Sequence, residues 1–389
     1  MSAPATHNIA PSFHPFSKAV WDNDVLQALE MLESNPSLAL LKEPECGHTV
    51  LSIACNLVNG EKLVEKLCDY QADIGVYCKH ANGPLREASR SGAFFSTKLL
   101  LKLGAEVNKR THKGDTPLFN AAESGHTDIV KLLLQHNADI HIPMWDYSTP
   151  LYIACQSGHF EVVKFLLENG AKDDINKPTY DKSYPLHAAT DGGHLDVIKL
   201  LCEANAIVDA KMQGNSFTSL FLACRRGHYD CVKYLISQGA DVNAVSSVNS
   251  TSLLIAAEHN NLEILKYLIS VGADYLLTMD GGFSAFYFAC QNGHLEIAKY
   301  LASLPGVTID QVTTKNYSPL SIAIEKAHFP VVNWLLTQQP DLTTITIYSD
   351  TILDIAKETG DNKIIQAVDF AYQKHLVALR RFHSTKKAR

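Results

Sequence analysis

The sequence predicts an all-α solenoid, a stack of helix–turn–helix units joined by β-hairpin-like finger loops. Three observations carry that expectation. First, ten seven-residue segments share one pattern: TVLSIAC, GPLREAS, TPLFNAA, TPLYIAC, YPLHAAT, TSLFLAC, TSLLIAA, SAFYFAC, SPLSIAI and TILDIAK. They begin at Thr49, Gly83, Thr116, Thr149, Tyr184, Thr218, Thr251, Ser284, Ser318 and Thr351, 33 to 35 residues apart. Second, the sixth position is alanine in all ten, and the third is leucine in all but Phe286. Third, every copy is punctuated for helices. A unit of this size cannot bury its apolar face alone, so the copies must stack into a continuous core.

The elements follow in chain order. Residues 1–16 have no helical period and are expected to be a flexible segment, and residues 17–45 form a degenerate N-terminal capping repeat. Within that repeat Ala19, Val20, Val25, Leu26, Leu29 and Leu32 lie between Ser17 and Glu33. The array proper runs over residues 46–360, and the unit opening at Thr116 shows its logic. Thr116 offers an N-cap oxygen, and Pro117 then takes the first helical position, where a missing N–H costs nothing. Leu118, Ala121 and Ala122 follow on one face, and Gly125 suits the left-handed turn that ends a helix. A second helix begins beyond it, its apolar face built from Ile129, Val130, Leu132, Leu133 and Leu134. Two departures are expected to change local geometry: Val58-Asn59 stands where other copies have Gly-His, and the fourth copy is lengthened over Asp173–Tyr184. Residues 361–389 continue without a breaker as an extended capping helix and a basic tail.

With these residues in hand, the chain resembles ankyrin-repeat proteins, whose repeat runs TPLHxAAxxGHxxIVKLLLxxGADVN. Thr116–Ile140, Thr149–Ala171 and Thr218–Asn243 are close copies, and the resemblance extends from about Thr49 into the C-terminal region. It implies about eleven units, counting the degenerate first one. It also assigns His126, His159, His194, His228, His294 and His328, which share one repeat position, to tying the turn between helices.

Composition narrows the function. The chain has 389 residues, 46% hydrophobic, with 34 basic against 41 acidic side chains, which argues against wholesale nucleic-acid binding. No apolar run approaches the roughly 18 residues of a membrane span, and the first residues lack the basic and apolar regions of a secretion signal. Nine cysteines, odd in number and scattered, favour reduced thiols and a cytoplasmic or nuclear location. Cys224, His228 and Cys231 have a metal-ligand spacing, but Cys155 and His159 recur in register with Val162 third, which reads as core. No Gly-rich phosphate loop, HExxH or GxSxG motif occurs, so neither enzyme activity nor a cofactor is expected. Asn249 and Asn316 begin formal glycosylation sequons but read as residues suited to left-handed turns.

Removing the fold-building positions leaves the finger tips and the exits of the first helices. By resemblance these line a concave face that holds partners. The early fingers are basic (Lys79, His80, Arg90, Arg110, His112, Lys113), and the middle is aromatic. There Trp145, Tyr147, Tyr152, Tyr180, Phe217 and Phe221, with Arg225 and Arg226, are expected to form a belt that binds a protein or peptide, since Trp, Tyr and Arg dominate interface hot spots; the alternative is that Tyr152 and Phe221 partly pack between fingers. Glu123, Asp191, Glu258, Glu325 and Glu358 add acids at the helix exits. LLKLGAEVN and LISQGADVN resemble the sequence that asparaginyl hydroxylases modify in such repeats, which marks Asn108 and Asn243; the alternative is that both simply bridge the turn. In the last helix Ile364, Val368, Ala371 and Val377 fall at 1-5-8-14 spacing, and Lys374 to Arg389 carry six basic residues and no acid. That suits calmodulin or an anionic membrane, or alternatively a cap with a solvated tail. The expected function is a monomeric, non-catalytic interaction scaffold or adaptor, with a small-ligand-regulated module or a membrane- or calmodulin-tethered adaptor as alternatives.

Overall fold

The computed structural model describes residues 14–387 except 44–46, 58, 76–77 and 79–81, with side chains to Val377. The expected flexible segment lies almost wholly outside the described residues, as do Val58, Lys79, His80 and the side chains of the basic tail. Two compact units, Met1–Ile207 and Val208–Arg389, are taken in turn.

In the first unit, α1 (Pro15–Trp21) and α2 (Val25–Ser34) bury Phe16, Val20, Ala28 and Leu32. Five pairs follow: α3 (Val50–Ala54) with α4 (Glu61–Asp69), α5 (Pro84–Ser91) with α6 (Phe94–Lys102), α7 (Pro117–Ser124) with α8 (Thr127–Gln135), α9 (Pro150–Ser157) with α10 (Phe160–Glu168), and α11 (Pro185–Asp191) with α12 (Leu195–Glu203). The first helices α3, α5, α7, α9 and α11 pack in series, and α4, α6, α8, α10 and α12 form the looser outer row. The fixed alanines make the close layer possible: Ala54, Ala88, Ala121, Ala154 and Ala189 are buried where a larger side chain would hold the helices apart. The extra length of the fourth copy is absorbed by a 3-10 turn, Ala171–Asp174. It buries the Asp174 carboxylate, paired with His141 Nδ1 at 3.0 Å and Lys177 Nζ at 2.6 Å.

The second unit repeats the design with α13 (Ser219–Arg226) and α14 (Tyr229–Ser237), α15 (Ser252–Glu258) and α16 (Leu262–Ser270), α17 (Ala285–Gln291) and α18 (Leu295–Ala302), α19 (Pro319–Glu325) and α20 (Phe329–Thr337), then α21 (Ile352–Thr359) and α22 (Asn362–Lys387). The expected caps form. Thr116, Thr149, Thr218, Thr251, Ser284, Ser318 and Thr351 each accept a first-turn N–H, and Gly125, Gly158 and Gly227 close helices in the left-handed region. The 26-residue α22 packs on α20 and α21, with Ile364 and Val368 buried. Two anchors of the 1-5-8-14 pattern therefore belong to the core, so a calmodulin-like partner would have to strip the cap to reach them. No helix among the described residues is long and apolar enough to cross a membrane.

Between pairs, each finger is a short hairpin closed by one N–H to carbonyl bond. Examples are Thr111 to Asp115, Met144 to Ser148, Thr179 to Ser183, Ser246 to Ser250, Thr313 to Tyr317 and Thr346 to Asp350, all 2.9 to 3.1 Å. Fingers also bond to their neighbours. Trp145 N–H donates to Lys113 O (3.2 Å) and Tyr180 N–H to Asp146 O (2.8 Å) in the first unit. In the second, Ser247 N–H donates to Asn215 O, Asp280 N–H to Val248 O, Thr314 N–H to Gly281 O, and Ile347 N–H to Lys315 O. Side chains on the tips are thus carried on a connected backbone rather than on loose loops.

Candidate functional site

The finger tips of the first unit gather the largest exposed aromatics. Trp145 (61% exposed), Tyr147 (58%) and Tyr180 (71%) stand on two fingers tied by the Tyr180 to Asp146 bond. Trp145 is fixed from three sides. Its Nε1 donates to His112 O (2.7 Å), its backbone N–H is held by Lys113 O, and the Arg110 guanidinium lies 3.9 Å from the ring centroid. Arg110 is itself clamped by the Gly114 and Pro143 carbonyls. Gly114, in the left-handed region at φ 92°, lets the ring come this close; a Cβ there would meet Trp145 N at 2.9 Å. Tyr147 also holds a left-handed backbone, φ 67°, at the matching finger position. Tyr152, half-buried at the base of the next pair, donates its hydroxyl to Ser183 Oγ (3.1 Å). Burial, with Asp146, Asp181 and Asp191 adding negative charge, holds its pKa above the ordinary phenol value despite that bond.

The remaining four residues of the expected belt belong to the second unit, so the belt is divided between two bodies. Phe221 is a correction: at 3% exposed, it is core, because its ring lies flat against Phe217 (centroids 4.2 Å apart) at the α13 base. Phe217 is half-buried between Phe221 and the Arg225 guanidinium, 5.7 Å from its centroid. Arg226 is exposed and also engaged.

A polar network escaped the sequence reading. Glu87, buried in α5, accepts from Arg86 (2.8 Å), Asn56 (3.0 Å) and Arg90 (3.2 Å). Arg86 reaches on to Asp115 (2.9 Å), which also takes Asn120 Nδ2 (2.7 Å) and the Thr111 hydroxyl. Burial alone would raise Glu87; Arg86, Asn56 and Arg90 outweigh it and hold the carboxyl below its usual range. Asp115 is lowered likewise, with Asn120, Thr111 and Arg86 overcoming its burial. Arg90, read as a basic finger residue, is therefore committed to Glu87. The signal available was that Glu87 and Asn120 occupy the repeat position where other copies carry Ile153, Leu222, Ile255 or Ile322.

A family model for ankyrin repeats matches three times, over residues 85–179, 172–246 and 253–346, more than half of the chain. The chain belongs to the ankyrin-repeat family. No curated protein matches it significantly. Ankyrin repeats are in general protein-interaction modules, and their proteins are typically non-enzymatic scaffolds.

The recurrent residues act as ankyrin braces. In five of the six, histidine Nε2 bonds a carbonyl at the end of the preceding first helix: His126 to Arg90, His159 to Glu123, His194 to Gln156, His294 to Glu258 and His328 to Gln291, 2.9 to 3.2 Å. A carbonyl only accepts, so Nε2 carries the proton in these five. The tie therefore runs between repeats, not only within the inter-helix turn. Where the second unit substitutes Asn261, its amide makes the same bond to Cys224 O (2.8 Å). Gly125 shows how tight the fit is, since a Cβ there would stand 2.5 Å from the His159 ring. Asn108 and Asn243 do bridge turns: Asn108 Oδ1 accepts from Asp139 N–H and its Nδ2 donates to Asn137 O, and Asn243 does the same with Asp274 and Gly272. Asn249 and Asn316 take left-handed φ values of 58° and 55°.

The thiols offer little chemistry. Cys55, Cys155, Cys224 and Cys290 are buried, and burial pushes their pKa values far up. Cys231 is raised to about 11 by burial and Asp230. Such thiols stay protonated at neutral pH, which makes Cys224 and Cys231 poor nucleophiles. Among the described residues no three metal-ligating side chains converge.

Proposed function

We propose that this chain is a non-catalytic scaffold or adaptor that holds a protein or peptide partner on the fingers of Met1–Ile207. The observation that carries this is the cluster of Trp145, Tyr147 and Tyr180 on two linked finger tips, three large rings exposed to water. Trp145 is already ordered by Arg110 and His112, so its capture of a partner loses little conformational entropy, which is what makes an aromatic an anchor. Asp146 and Asp181 at the rim would steer encounter and fix orientation. The protein would act as a monomer in a reducing compartment, the cytoplasm or nucleus, in keeping with the free cysteines among the described residues.

The test is the double variant Trp145→Ala with Tyr180→Ala, compared with the parent by quantitative affinity capture from cell extract and by thermal melting. Both rings are exposed, so the melting temperature should hold within a few degrees, while specific partners should drop about tenfold or more. An unchanged partner set with an unchanged melt would remove the fingers from the binding site.

A further inference from the structure

The bonds between fingers of the second unit keep one register. In each finger the N–H of one residue bonds the finger before it, and the carbonyl of the next residue accepts from the finger after it. Ser247 and Val248, Asp280 and Gly281, and Thr314 and Lys315 are such pairs. Ile347 and Tyr348 are the last pair. Ile347 N–H donates to Lys315 O at 3.3 Å, but no N–H among the described residues bonds Tyr348 O. The ladder of fingers therefore ends on an open acceptor, as the edge of a sheet does.

The side chains there are the opposite of what an end needs, since a terminal repeat is expected to turn a polar face outward. The helices are covered, with α22 packed on α20 and α21. The last finger is not: Ile345, Ile347 and Tyr348 are 50% to 62% exposed. The preceding finger carries Thr314 and Lys315 where this one carries Ile347 and Tyr348. Its loop is nevertheless fixed. Thr346 N–H donates to Asp350 O (3.1 Å), the Thr346 hydroxyl donates to Asp350 Oδ2 (3.1 Å), and Tyr348 N–H donates to Thr346 Oγ1 (3.3 Å).

A second copy of the chain is poorly equipped to fill this edge. The N–H groups of Trp145, Tyr180, Ser247, Asp280, Thr314 and Ile347, which play the donor part, are already bonded within the chain. In the first finger, closed by Glu43 N–H to His48 O, the residue after Glu43 is Pro44, which has no N–H to offer.

We propose that the last finger is a docking edge for a hairpin loop of another protein, one with an aliphatic residue at its tip. The N–H at the loop's tip donates to Tyr348 O, as each finger of the unit does to the one before it. Its aliphatic side chain covers Ile345 and Ile347, so one contact closes the open acceptor and removes apolar surface from water. This edge does not use the fingers of the first unit, and Trp145→Ala with Tyr180→Ala leaves it intact.

The probe is a fluorescein-labelled cyclic peptide carrying the sequence of Ile345–Thr351, titrated against the full chain by fluorescence anisotropy. It should bind saturably. The same peptide N-methylated at the residue matching Ile347 loses only the donor and should bind about tenfold more weakly. Ile347→Thr with Tyr348→Lys copies the preceding finger onto the last one. That variant should melt within a few degrees of the parent and bind the peptide about tenfold more weakly. Val248→Lys changes an exposed apolar tip whose carbonyl is already taken, and should alter affinity less than about twofold. The proposal is overturned if the peptide does not bind, if N-methylation or the double variant leaves affinity unchanged, or if Val248→Lys costs as much as the double variant. Self-association of the parent in sedimentation velocity that the double variant abolishes would also overturn it, by making a second copy the occupant.

Discussion

Tyr147 is the one aromatic at a left-handed finger position among the described residues. The left-handed backbone at that finger position is held elsewhere by Gly114, Gly282, Asn249 and Asn316, residues that accept it cheaply, and also by Lys182, Ser216 and Ser349; a bulky tyrosine there is strained. Its ring repays none of this within the unit, being mostly exposed. Strain retained at a surface aromatic is expected where the ring serves a partner. Tyr147→Asn should therefore raise stability by about 1 kcal/mol, read from the urea transition of the full chain, while reducing capture of the partners identified with the parent protein. A variant that is both less stable and equally competent in capture would show that the ring serves the fold. The same scale shows what sequence reasoning could and could not see. Asn249 and Asn316 were legible because a left-handed turn is a local property of one residue. Phe221 was not, because its repeat position, which also buries Phe119, His187 and Leu254, is covered only once units are stacked.

At the scale of elements, the helices and caps were legible because Thr, Pro, Ala and Gly state their roles within one repeat. The network across α3, α5 and the following finger was not, since Arg86 meets Asp115 29 residues on and Arg90 meets Asn56 34 residues back, pairings visible only once units are stacked. It also makes this part of the stack sensitive to acid. Glu87 and Asp115 have folded pKa values below their unfolded ones, so their contribution is complete above the ordinary carboxyl range near pH ~4 and is lost as pH falls through the lower folded values. Glu87→Gln should cost about 2–3 kcal/mol at pH 7 by leaving Arg86 and Arg90 poorly compensated. The gap between parent and variant should close as the pH is lowered from about 7 to about 3, because protonation does to the parent what the substitution does to the variant. Melting curves by circular dichroism over that range check both signs; a gap that is constant with pH would mean Glu87 contributes by shape alone.

The whole molecule behaves as the sum of its repeats and their nearest-neighbour interfaces, and that additivity need not be uniform. In the first unit α3 has five residues where α7 and α9 have eight, and its cap leads into Asn59 rather than the Gly-His pair that braces later copies. The α3–α4 pair therefore has a shorter first helix and lacks the histidine tie made by His126 and His159. Sequence alone marked the Val58-Asn59 departure but could not show how short the helix before it would be. The thiols report on the consequence. Cys55, at the C-cap of α3, and Cys68 in α4 belong to the weak pair, Cys155 lies in the braced α9, and burial raises the pKa of all three. Alkylation should thus require local opening, and opening should follow the local interfaces rather than the intrinsic thiol chemistry. Pulsed iodoacetamide labelling along a urea gradient, read by peptide mass spectrometry, should modify Cys55 and Cys68 at lower denaturant than Cys155. Restoring Gly-His at positions 58 and 59 should move the first two toward the third. Simultaneous labelling of all three in the parent would mean that the unit opens as one cooperative body, with the shortened pair carried by its neighbours.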